Sequence, residues 1–410
     1  WLTTVIELEP GAHSARVTGA MTGFLPVQAG NAALIAAMSD AAIRIVSLTV
    51  TEGGYYIDPK TGTFSPDHPD IRKDAANPGA PDTAFGAIIA ALKARKAAGV
   101  QPFTVMCCDN VPHNGHVTRD AVVGLCRLSD PALADWIAAN VAFPNSMVDR
   151  ITPATGDRER AMARSMGVDD AWPVTCEPFR QWVVEDNFPA GRPALEKVGV
   201  TFTPHVDKFE TMKIRILNGG HAIIAYPGGL LDIELVHDAM EHPVIRAFLD
   251  AVETREILPI LPPVPGQNLG DYKNLIVDRF SNPDVADTVR RLCLDGSNRQ
   301  PKFIVPSILD NRAKGAVPDG LILASAMWCR YCAGVSEAGR AIAPNDPNWD
   351  RLVARAKAAK ESPGEWLAMT EVYGDLGQAK AVADRFSVIL RAVWAEGCQP
   401  VMQRYIDGQL

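Results

Sequence analysis

Residues 43–50 read IRIVSLTV, and residues 101–108 read QPFTVMCC. The first run is β-branched and almost continuously apolar, which is typical of a strand buried on both faces of a sheet, and the second predicts another buried strand. Between them, residues 83–99 (TAFGAIIAALKARKAAG) have helical periodicity, basic residues in the last turns and a terminal glycine. A strand, a helix and a strand at this spacing predict a parallel βαβ unit.

The segments after this βαβ unit extend the pattern of alternating strands and helices. Residues 115–128 and 130–141 predict two more helices, the second with Asp130 as N-cap and Pro131 in the first turn. We therefore expect residues 1–151 to form a doubly wound, Rossmann-like parallel sheet. Ligands of such sheets bind at the carboxyl ends of the strands, where the turns TEGGY, CCDNVPHNG and PNSMVDR fall. Residues 152–410 show little strand-like alternation and predict a mainly α-helical substrate domain.

Composition sets limits on the partners. A chain of 410 residues, 47% of them hydrophobic, is long enough for two domains. The net charge is −8 and the 40 basic residues are scattered, which argues against nucleic acid and favours small metabolites. No apolar stretch approaches the ~18 residues of a membrane span, and no signal-like segment opens the chain. We expect a cytoplasmic protein with no membrane partner.

Several motifs are missing from the sequence. The eight cysteines include a C-x-x-C at Cys329 and Cys332, but it lies in an apolar run with no second pair or nearby histidine, so core packing is expected. The zinc-protease, serine-hydrolase and P-loop patterns are absent, as is G-x-G-x-x-G. The chain begins at Trp1, directly in strand-like sequence. We therefore expect a fragment whose phosphate-binding loop and first strand precede Trp1.

One predicted helix, residues 209–226 (FETMKIRILNGGHAIIAY), concentrates functional side chains. At α-helical spacing Lys213, His221 and Asn218 lie at about 0°, 80° and 140°, within one half of its surface. An amine, an imidazole and a carboxamide could then face one pocket. The alternatives remain open: a surface lysine, a core histidine, and an asparagine that ends a helical turn.

Three further clusters have equally open interpretations. In the turn after residues 101–108, Asn110 and Asn114 offer amide donors, or the turn is polar for backbone reasons alone. Asp149 could accept hydrogen bonds from a polyhydroxylated substrate or could pair with Arg150. The basic residues of 290–303 (RRLCLDGSNRQPKF) could clamp an oxygen-rich ligand, or a helix C-terminus could attract them.

Six phrases together resemble one family, the polyol-specific long-chain dehydrogenases, whose members use NAD without zinc. They are CCDNVPHNG, FPNSMVDRITPAT, CEPFRQWVVEDNFPAGRP, MKIRILNGGH, DRFSNP and DGSNRQPKF. The six phrases run from Cys107 to Phe303, and GLILASAMWCRYCAG resembles the mannitol 2-dehydrogenase branch.

The resemblance implies roles for individual residues. Lys213, Asn218 and His221 meet the family pattern K-x-x-x-x-N-x-x-H, so the resemblance implies that Lys213 is the general base. It also implies that Asn218 and Asn110 hold the reacting oxygen. The substrate-binding residues would be Asp149, His221, Arg291 and Arg299. At the position of Arg299 the family usually has lysine. The cofactor-binding residues would be Glu52, Gly53, Asn110 and Val148. From its spacing to Lys213, Glu210 is a candidate proton relay. We expect His221 or Arg291 to lower the lysine pKa by its positive charge.

The implied activity is the zinc-independent interconversion of D-mannitol and D-fructose with NAD as cofactor and no metal. NADP stays open, because its determinant would precede Trp1. The alternative within the family is a fructuronate reductase acting on D-mannonate and D-fructuronate, or a dehydrogenase of arabinitol or sorbitol. The alternative from another class is a truncated, inactive binding relic.

Overall fold

The computed structural model describes residues 2–58 and 61–410. Trp1, where the predicted first strand begins, lies outside the described residues, as does the side chain of Glu52. The chain divides into two compact units. Unit 1 contains Ala15–Glu210 and the N-terminal residues through Glu7, and unit 2 contains Leu8–Ser14 and Thr211–Leu410.

The strands form three small sheets. They are β1 (Thr3–Glu9), β2 (Ala12–Thr18), β3 (Ile45–Leu48), β4 (Thr104–Cys107), β5 (Ser146–Asp149), β6 (Val174–Cys176), β7 (Gln181–Val184) and β8 (Thr201–Phe202). Their orders are β2-β1-β6, β3-β4 and β5-β7-β8. β3 and β4 are parallel, with Leu48 opposite Cys107, as the two apolar runs predict. The pairing is mixed once the strands after residue 151 are included, since β5 runs antiparallel to β7.

The helices of unit 1 follow their sequence signals. They are α1 (Ala32–Ser39), α2 (Pro69–Ala76), α3 (Ala84–Ala97), α4 (Asn114–Ser129), α5 (Pro131–Asn140), α6 (Asp157–Ser165) and the start of α7 (Val206–Met212), with 3₁₀ turns at Glu52–Tyr55 and Leu195–Val198. The Thr83 side chain accepts the Gly86 N–H at 3.0 Å and caps α3, and Asp130 caps α5 through the Leu133 N–H. The α3 side chains Ile88 and Leu92 are buried in the same core as Val105 of β4.

Unit 1 extends further along the chain than the predicted boundary at residues 151 and 152. β6 pairs in parallel with β1, where Val5 lies opposite Val174, and β7 pairs with β5. These contacts keep the segment up to Glu210 in unit 1. The sequence does not signal these strands, because each has only two to four residues and none lies in an apolar run as long as those that mark β3 and β4.

Unit 2 is mainly helical, as predicted. It contains α8 (Gly219–Leu230), α9 (Val236–Glu241), α10 (Pro243–Val252), α11 (Leu269–Phe280), α12 (Val289–Leu292), α13 (Gly296–Phe303), α14 (Val305–Ala313), α15 (Asp319–Tyr331), α16 (Trp349–Glu361), α17 (Gly364–Leu367), α18 (Thr370–Tyr373), α19 (Lys380–Glu396) and α20 (Cys398–Ile406). Short 3₁₀ turns cover Leu258–Ile260, Pro283–Val285 and Leu376–Gln378. Two π-helical segments, Lys213–Asn218 and Glu253–Ile257, interrupt the regular helices.

The core of unit 2 is built around α15. Its Trp328 packs edge-on against Trp366 of α17 with ring centroids 4.7 Å apart. Cys329 and Cys332 are buried in this core, which confirms the packing interpretation of the C-x-x-C. Within residues 2–58 and 61–410, no helix is both long and apolar enough to cross a membrane.

Candidate functional site

A change of helix type brings the motif residues of unit 2 closer together than the sequence predicted. The helix that begins as α7 widens into the π segment Lys213–Asn218 before continuing as α8. At the end of this segment the Gly219 N–H bonds to the carbonyl of Ile214, five residues back. In a helix with this bonding, residue i+5 returns close to the face of residue i. Asn218 is the i+5 residue of Lys213, so the predicted angle of about 140° between them is wrong.

The burial of these side chains fits a pocket wall better than a solvated helix face. Lys213 is 8% exposed, which rules out the surface-lysine alternative. Asn218 is half-buried, and it does not end the helix, since α8 continues directly after it. π segments inside α-helices are frequent at functional sites. A lysine amine and a carboxamide therefore share one face of a helix irregularity.

Two glycines after this segment permit close packing. A Cβ atom on Gly220 would lie 2.9 Å from Oε1 of Glu253 and 3.2 Å from the ring of Phe280. The second π segment, which begins at Glu253, packs against the first, and α11, which ends at Phe280, packs there as well. A larger residue at position 220 would push these elements apart.

His221 is held as a neutral imidazole. Its ring stacks on Phe280 with centroids 4.2 Å apart, and its Nε2 is buried with no hydrogen-bond partner among the described residues. Burial lowers the pKa of His221 well below the usual value, and the positive charges of Arg291, Arg279 and Arg299 lower it further. The expectation that His221 could supply a positive charge for Lys213 is therefore wrong. Nor is it the satisfied core histidine of the alternative interpretation, because a buried nitrogen without a partner is costly.

The positive charges of Arg291 and Arg299 both act on His221, and each guanidinium already has hydrogen-bond partners. Arg291 donates hydrogen bonds through Nε and Nη2 to the Asp287 carboxylate, and this bidentate pair raises the pKa of the guanidinium. Arg299 donates through Nη1 to the carbonyls of Leu292 at 2.9 Å and Arg291 at 3.2 Å. These carbonyls end α12, so Arg299 has the helix C-terminus contact that the alternative interpretation describes. Its role in substrate binding stays a prediction.

In unit 1, the two asparagines after β4 have different positions. Asn110 is exposed just beyond the carboxyl end of the strand, where an α/β sheet binds its ligand. Asn114 is completely buried; its Nδ2 donates to the carbonyls of Ser146 at 2.8 Å and Asp109 at 3.1 Å, and its Oδ1 accepts the Ser146 N–H at 2.8 Å. Asn114 is a structural residue that joins this turn to β5, so only Asn110 stays a candidate ligand donor.

Glu210 lies against the same turn. It is 8% exposed, and both carboxylate oxygens are 3.3 Å from the backbone nitrogen of His113, which precedes α4. Burial raises the pKa of Glu210, and the His113 N–H partly offsets this rise. A carboxyl group with a raised pKa is better suited to carry a proton near neutrality than an ordinary surface glutamate.

The other predicted residues of unit 1 lie on β5 and after β3. Asp149 is 7% exposed, and Val148 is half-buried opposite Trp182 of β7. Arg150 binds the Glu7 carboxylate and the Glu177 carbonyl, both at 2.9 Å, so its own contacts do not support the proposed pairing with Asp149.

Gly53 lies exposed in the 3₁₀ turn after β3, and a Cβ atom there would meet nothing within 4 Å. The turn is therefore open at the carboxyl end of a parallel strand, where open α/β sheets bind their ligands. No group of three or more His, Cys, Asp or Glu residues is arranged to hold a metal ion within the described part of the chain.

Sequence reasoning missed two residues next to this turn, Tyr55 and Asp109. Both follow glycine-rich or cysteine-rich strand ends, and a tyrosine directly after two glycines is the sequence signal that could have drawn attention to this turn. It also missed Glu253, a fully buried carboxyl group that no local pattern marks.

The comparisons with known proteins agree with this arrangement. A family model described as the mannitol dehydrogenase Rossmann domain matches residues 1–197, and one described as the mannitol dehydrogenase C-terminal domain matches residues 205–394. The chain belongs to the mannitol dehydrogenase family. This confirms the resemblance inferred from the six sequence phrases.

Individual members of the family are similar over nearly the whole chain. The mannitol 2-dehydrogenase of Cereibacter sphaeroides is 67% identical over 405 residues, which are 99% of this chain and 85% of that protein. The mannitol 2-dehydrogenase of Pyrenophora tritici-repentis is 42% identical and covers 98% of this chain, which spans 72% of that protein.

Two solved structures have the same fold. The Pseudomonas fluorescens mannitol 2-dehydrogenase, in a ternary complex with NAD and D-mannitol, has a TM-score of 0.86 and 41% identity, covering 99% of this chain and 83% of that one. A D-sorbitol dehydrogenase in substrate-free form has a TM-score of 0.91 and 33% identity, covering 98% of this chain and 83% of that one. The Rossmann-like and helical fold class is thereby confirmed.

Proposed function

We propose that this protein interconverts D-mannitol and D-fructose with NAD, as a mannitol 2-dehydrogenase that needs no metal. The observation that carries the proposal is the 67% identity to a mannitol 2-dehydrogenase over 99% of the chain, with Lys213 and Asn218 of the K-x-x-x-x-N-x-x-H motif on a π segment. The solved ternary complex of a 41% identical relative with NAD and D-mannitol supports the same substrate pair.

In this proposal Lys213 removes the proton from the alcohol oxygen at the carbon being oxidised. NAD accepts the hydride from that carbon when bound. Asn218 and Asn110 donate neutral N–H groups to the oxygen, which stabilises the developing alkoxide without protonating it. The amine can act as a base only in its neutral form, which in this mechanism requires desolvation or a cationic neighbour; Lys213 is 8% exposed.

The residues that would hold the cofactor are Glu52, Gly53, Asn110 and Val148. The open turn at Gly53 and the exposed Asn110 at the end of β4 support this assignment. These positions follow adjacent parallel strands, the arrangement at which open α/β sheets bind nucleotides.

The substrate hydroxyls would contact Asp149, His221, Arg291 and Arg299. The unpartnered Nε2 of a neutral His221 can donate or accept a hydrogen bond, as a polyol hydroxyl requires. Arg291 keeps Nη1 outside its pair with Asp287. Small polyols and ketoses, rather than nucleic acid or membranes, are the partners we propose, in the cytoplasm; the scattered basic residues and net charge of −8 support this choice.

The test is a substrate survey with protein expressed from its complete coding sequence. D-mannitol, D-sorbitol, D-arabinitol and D-mannonate are each assayed with NAD⁺ and with NADP⁺, with and without a metal chelator. We expect the highest kcat/KM with D-mannitol and NAD⁺, unchanged by the chelator. Preferential turnover of D-mannonate would reassign the protein to fructuronate reduction, and a chelator-sensitive rate would contradict metal independence.

Glu210 is proposed to relay the proton released by Lys213. Because burial raises its pKa, we expect Glu210→Ala to shift or flatten the pH dependence of kcat in addition to slowing the reaction. Glu241→Ala, at the end of α9, is the matched control. An unchanged rate and pH profile for Glu210→Ala would remove the relay role.

A further inference from the structure

Asp109 connects the turns that follow β3 and β4. The two strands are paired up to Leu48 and Cys107, and the ladder ends when the Cys108 N–H donates to the Leu48 carbonyl at 2.9 Å. Beyond this point the Asp109 side chain continues the connection. Its Oδ2 accepts the Val50 N–H at 2.9 Å, and its Oδ1 accepts the Thr51 N–H at 3.2 Å.

A third donor completes the Asp109 carboxylate site. The Tyr55 hydroxyl donates to Oδ2 at 2.6 Å, and the tyrosine side chain is fully buried beside Phe85. The same hydroxyl is 2.7 Å from the Cys107 sulfur, and because its one proton is directed to the carboxylate, the thiol donates to the hydroxyl oxygen. Burial raises the pKa of Tyr55, so the hydroxyl remains a donor across the working pH range.

The turn that Asp109 holds has a strained backbone. Thr51 has φ 64° and ψ 167°, a region that β-branched residues rarely adopt, and Tyr56 has φ 53°. Such conformations persist only where the surroundings hold them, and they cluster at ligand sites. Asp109 binds Thr51 directly and reaches Tyr56 through its neighbour Tyr55. The strained turn contains Gly53, and the residue after Asp109 is Asn110.

We propose that Asp109 is a positioning residue, supported by Tyr55, that holds the Glu52–Gly53 turn and Asn110 in the relative geometry required for cofactor binding and hydride transfer. This inference rests on the proposed function for the identity of the cofactor and the role of Asn110. The contacts of the carboxylate, three donors from one turn, are observed independently of that function. Asp109 itself touches neither the substrate nor the reacting atoms in this account.

Asp109→Asn tests the proposal with a minimal change of shape. One carboxylate oxygen becomes an NH₂ group, which cannot accept from Tyr55 or from the backbone. We expect the Kd for NADH, measured by quenching of protein fluorescence, to weaken by about tenfold or more, and kcat with D-mannitol to fall by about 10–100-fold, as misplaced reactive groups cause. The KM for D-mannitol should change less than kcat.

Tyr55→Phe removes a single hydroxyl group and should change the same two quantities in the same direction by a smaller factor. The double variant should be little worse than Asp109→Asn alone, because both changes break the same contact. Asp120→Asn, an exposed aspartate on α4, is the control and should leave both quantities at wild-type values.

Wild-type NADH affinity and kcat in folded Asp109→Asn would overturn the proposal, as would a lowered Tm with no change in either quantity. The outcomes for the proposed function are separate. If the wild-type protein oxidises no polyol, that function fails, whereas the NADH affinities of the wild type and Asp109→Asn still decide whether Asp109 positions the cofactor turn.

Discussion

The two π segments of unit 2 pack against each other but carry polar groups in different ways. Lys213–Asn218 has Lys213 at 8% exposure and Asn218 half-buried on one widened face. Glu253–Ile257 begins with Glu253, which is 0% exposed and whose carboxylate oxygens have no hydrogen-bond partner among the described residues. The first segment presents polar side chains at the edge of the protein interior, and the second buries one completely.

This difference shows that a π segment alone does not mark a chemical site. Burial raises the pKa of Glu253 well above its usual value, so the group is kept in its neutral form, where it serves packing beside Gly220. Lys213 and Asn218 match a family motif, whereas Glu253 does not. We therefore expect substitutions in the first segment to affect turnover and those in the second to affect stability.

The largest expected effect is that of Lys213→Ala. Removal of the proposed general base should lower kcat by about 10²–10⁴-fold, the usual contribution of a positioned acid or base. Lys208→Ala, on α7 of the same helix, is the control and should keep the wild-type rate. Steady-state kinetics across a range of pH check both variants. Near-wild-type turnover of Lys213→Ala at any pH would contradict the proposed mechanism.

Asn218→Ala should have the next largest effect. Loss of one preorganised donor to a developing alkoxide costs about 10²–10³-fold in kcat. The exposed Asn140 at the end of α5 provides the control variant Asn140→Ala. A raised KM with unchanged kcat would instead mean that Asn218 binds the ground state and the transition state equally.

Gly220→Ala should destabilise the contact between the segments. The new Cβ would lie 2.9 Å from Oε1 of a fully buried Glu253 and 3.2 Å from Phe280, which stacks on His221. Overpacking of this kind costs about 1–3 kcal/mol, and the better helix propensity of alanine offsets up to about 1 kcal/mol of it. Chemical denaturation measures the difference. Gly364→Ala, where no atom lies within 4 Å of the new Cβ, is the control, and equal stability of both variants would show that the packing relaxes freely.

Glu253→Gln should have the smallest effect on turnover, and its effect on stability should depend on pH. Because burial raises the folded-state pKa above the unfolded value, wild-type stability is fully present below the unfolded pKa and decreases as the pH rises through the folded one. The slope is about 1.4 kcal/mol per pH unit between the two values.

The glutamine variant does not lose stability in this way as the pH rises, because glutamine does not titrate. Its Tm relative to wild type should therefore increase from pH 5 to pH 8. Glu361→Gln, at an exposed position on α16, should show no such trend. A Tm difference that is constant with pH would mean that the pKa of Glu253 is the same in the folded and unfolded states.

Much of unit 1 could be predicted because its signals are local. The helix predicted over residues 83–99, the Asp130–Pro131 helix start and the apolar runs of β3 and β4 each depend on neighbouring residues, and all form as expected. The strands β6 to β8 could not be predicted, because pairing with distant strands rather than their own pattern creates them.

The candidate site divides in the same way. Local sequence is enough to identify Lys213, Asn218 and Asn110 as candidates. It is not enough to predict that the Asn114 side chain is hydrogen-bonded to Ser146 and Asp109. The partners of Asn114 lie up to 32 residues away along the chain. The hydrogen bonds of a buried side chain depend on which groups the fold places beside it.

The sequence by itself determined the family, the two-part fold class and the motif residues, because periodicity, caps and motif spacing are properties of short segments. Only the tertiary structure decided that Asn218 shares a face with Lys213, that His221 is neutral and that Asp109 holds the turn at Thr51. Helix type, pKa and turn anchoring depend on burial and on charges or donors from distant parts of the chain. Folding brings these together.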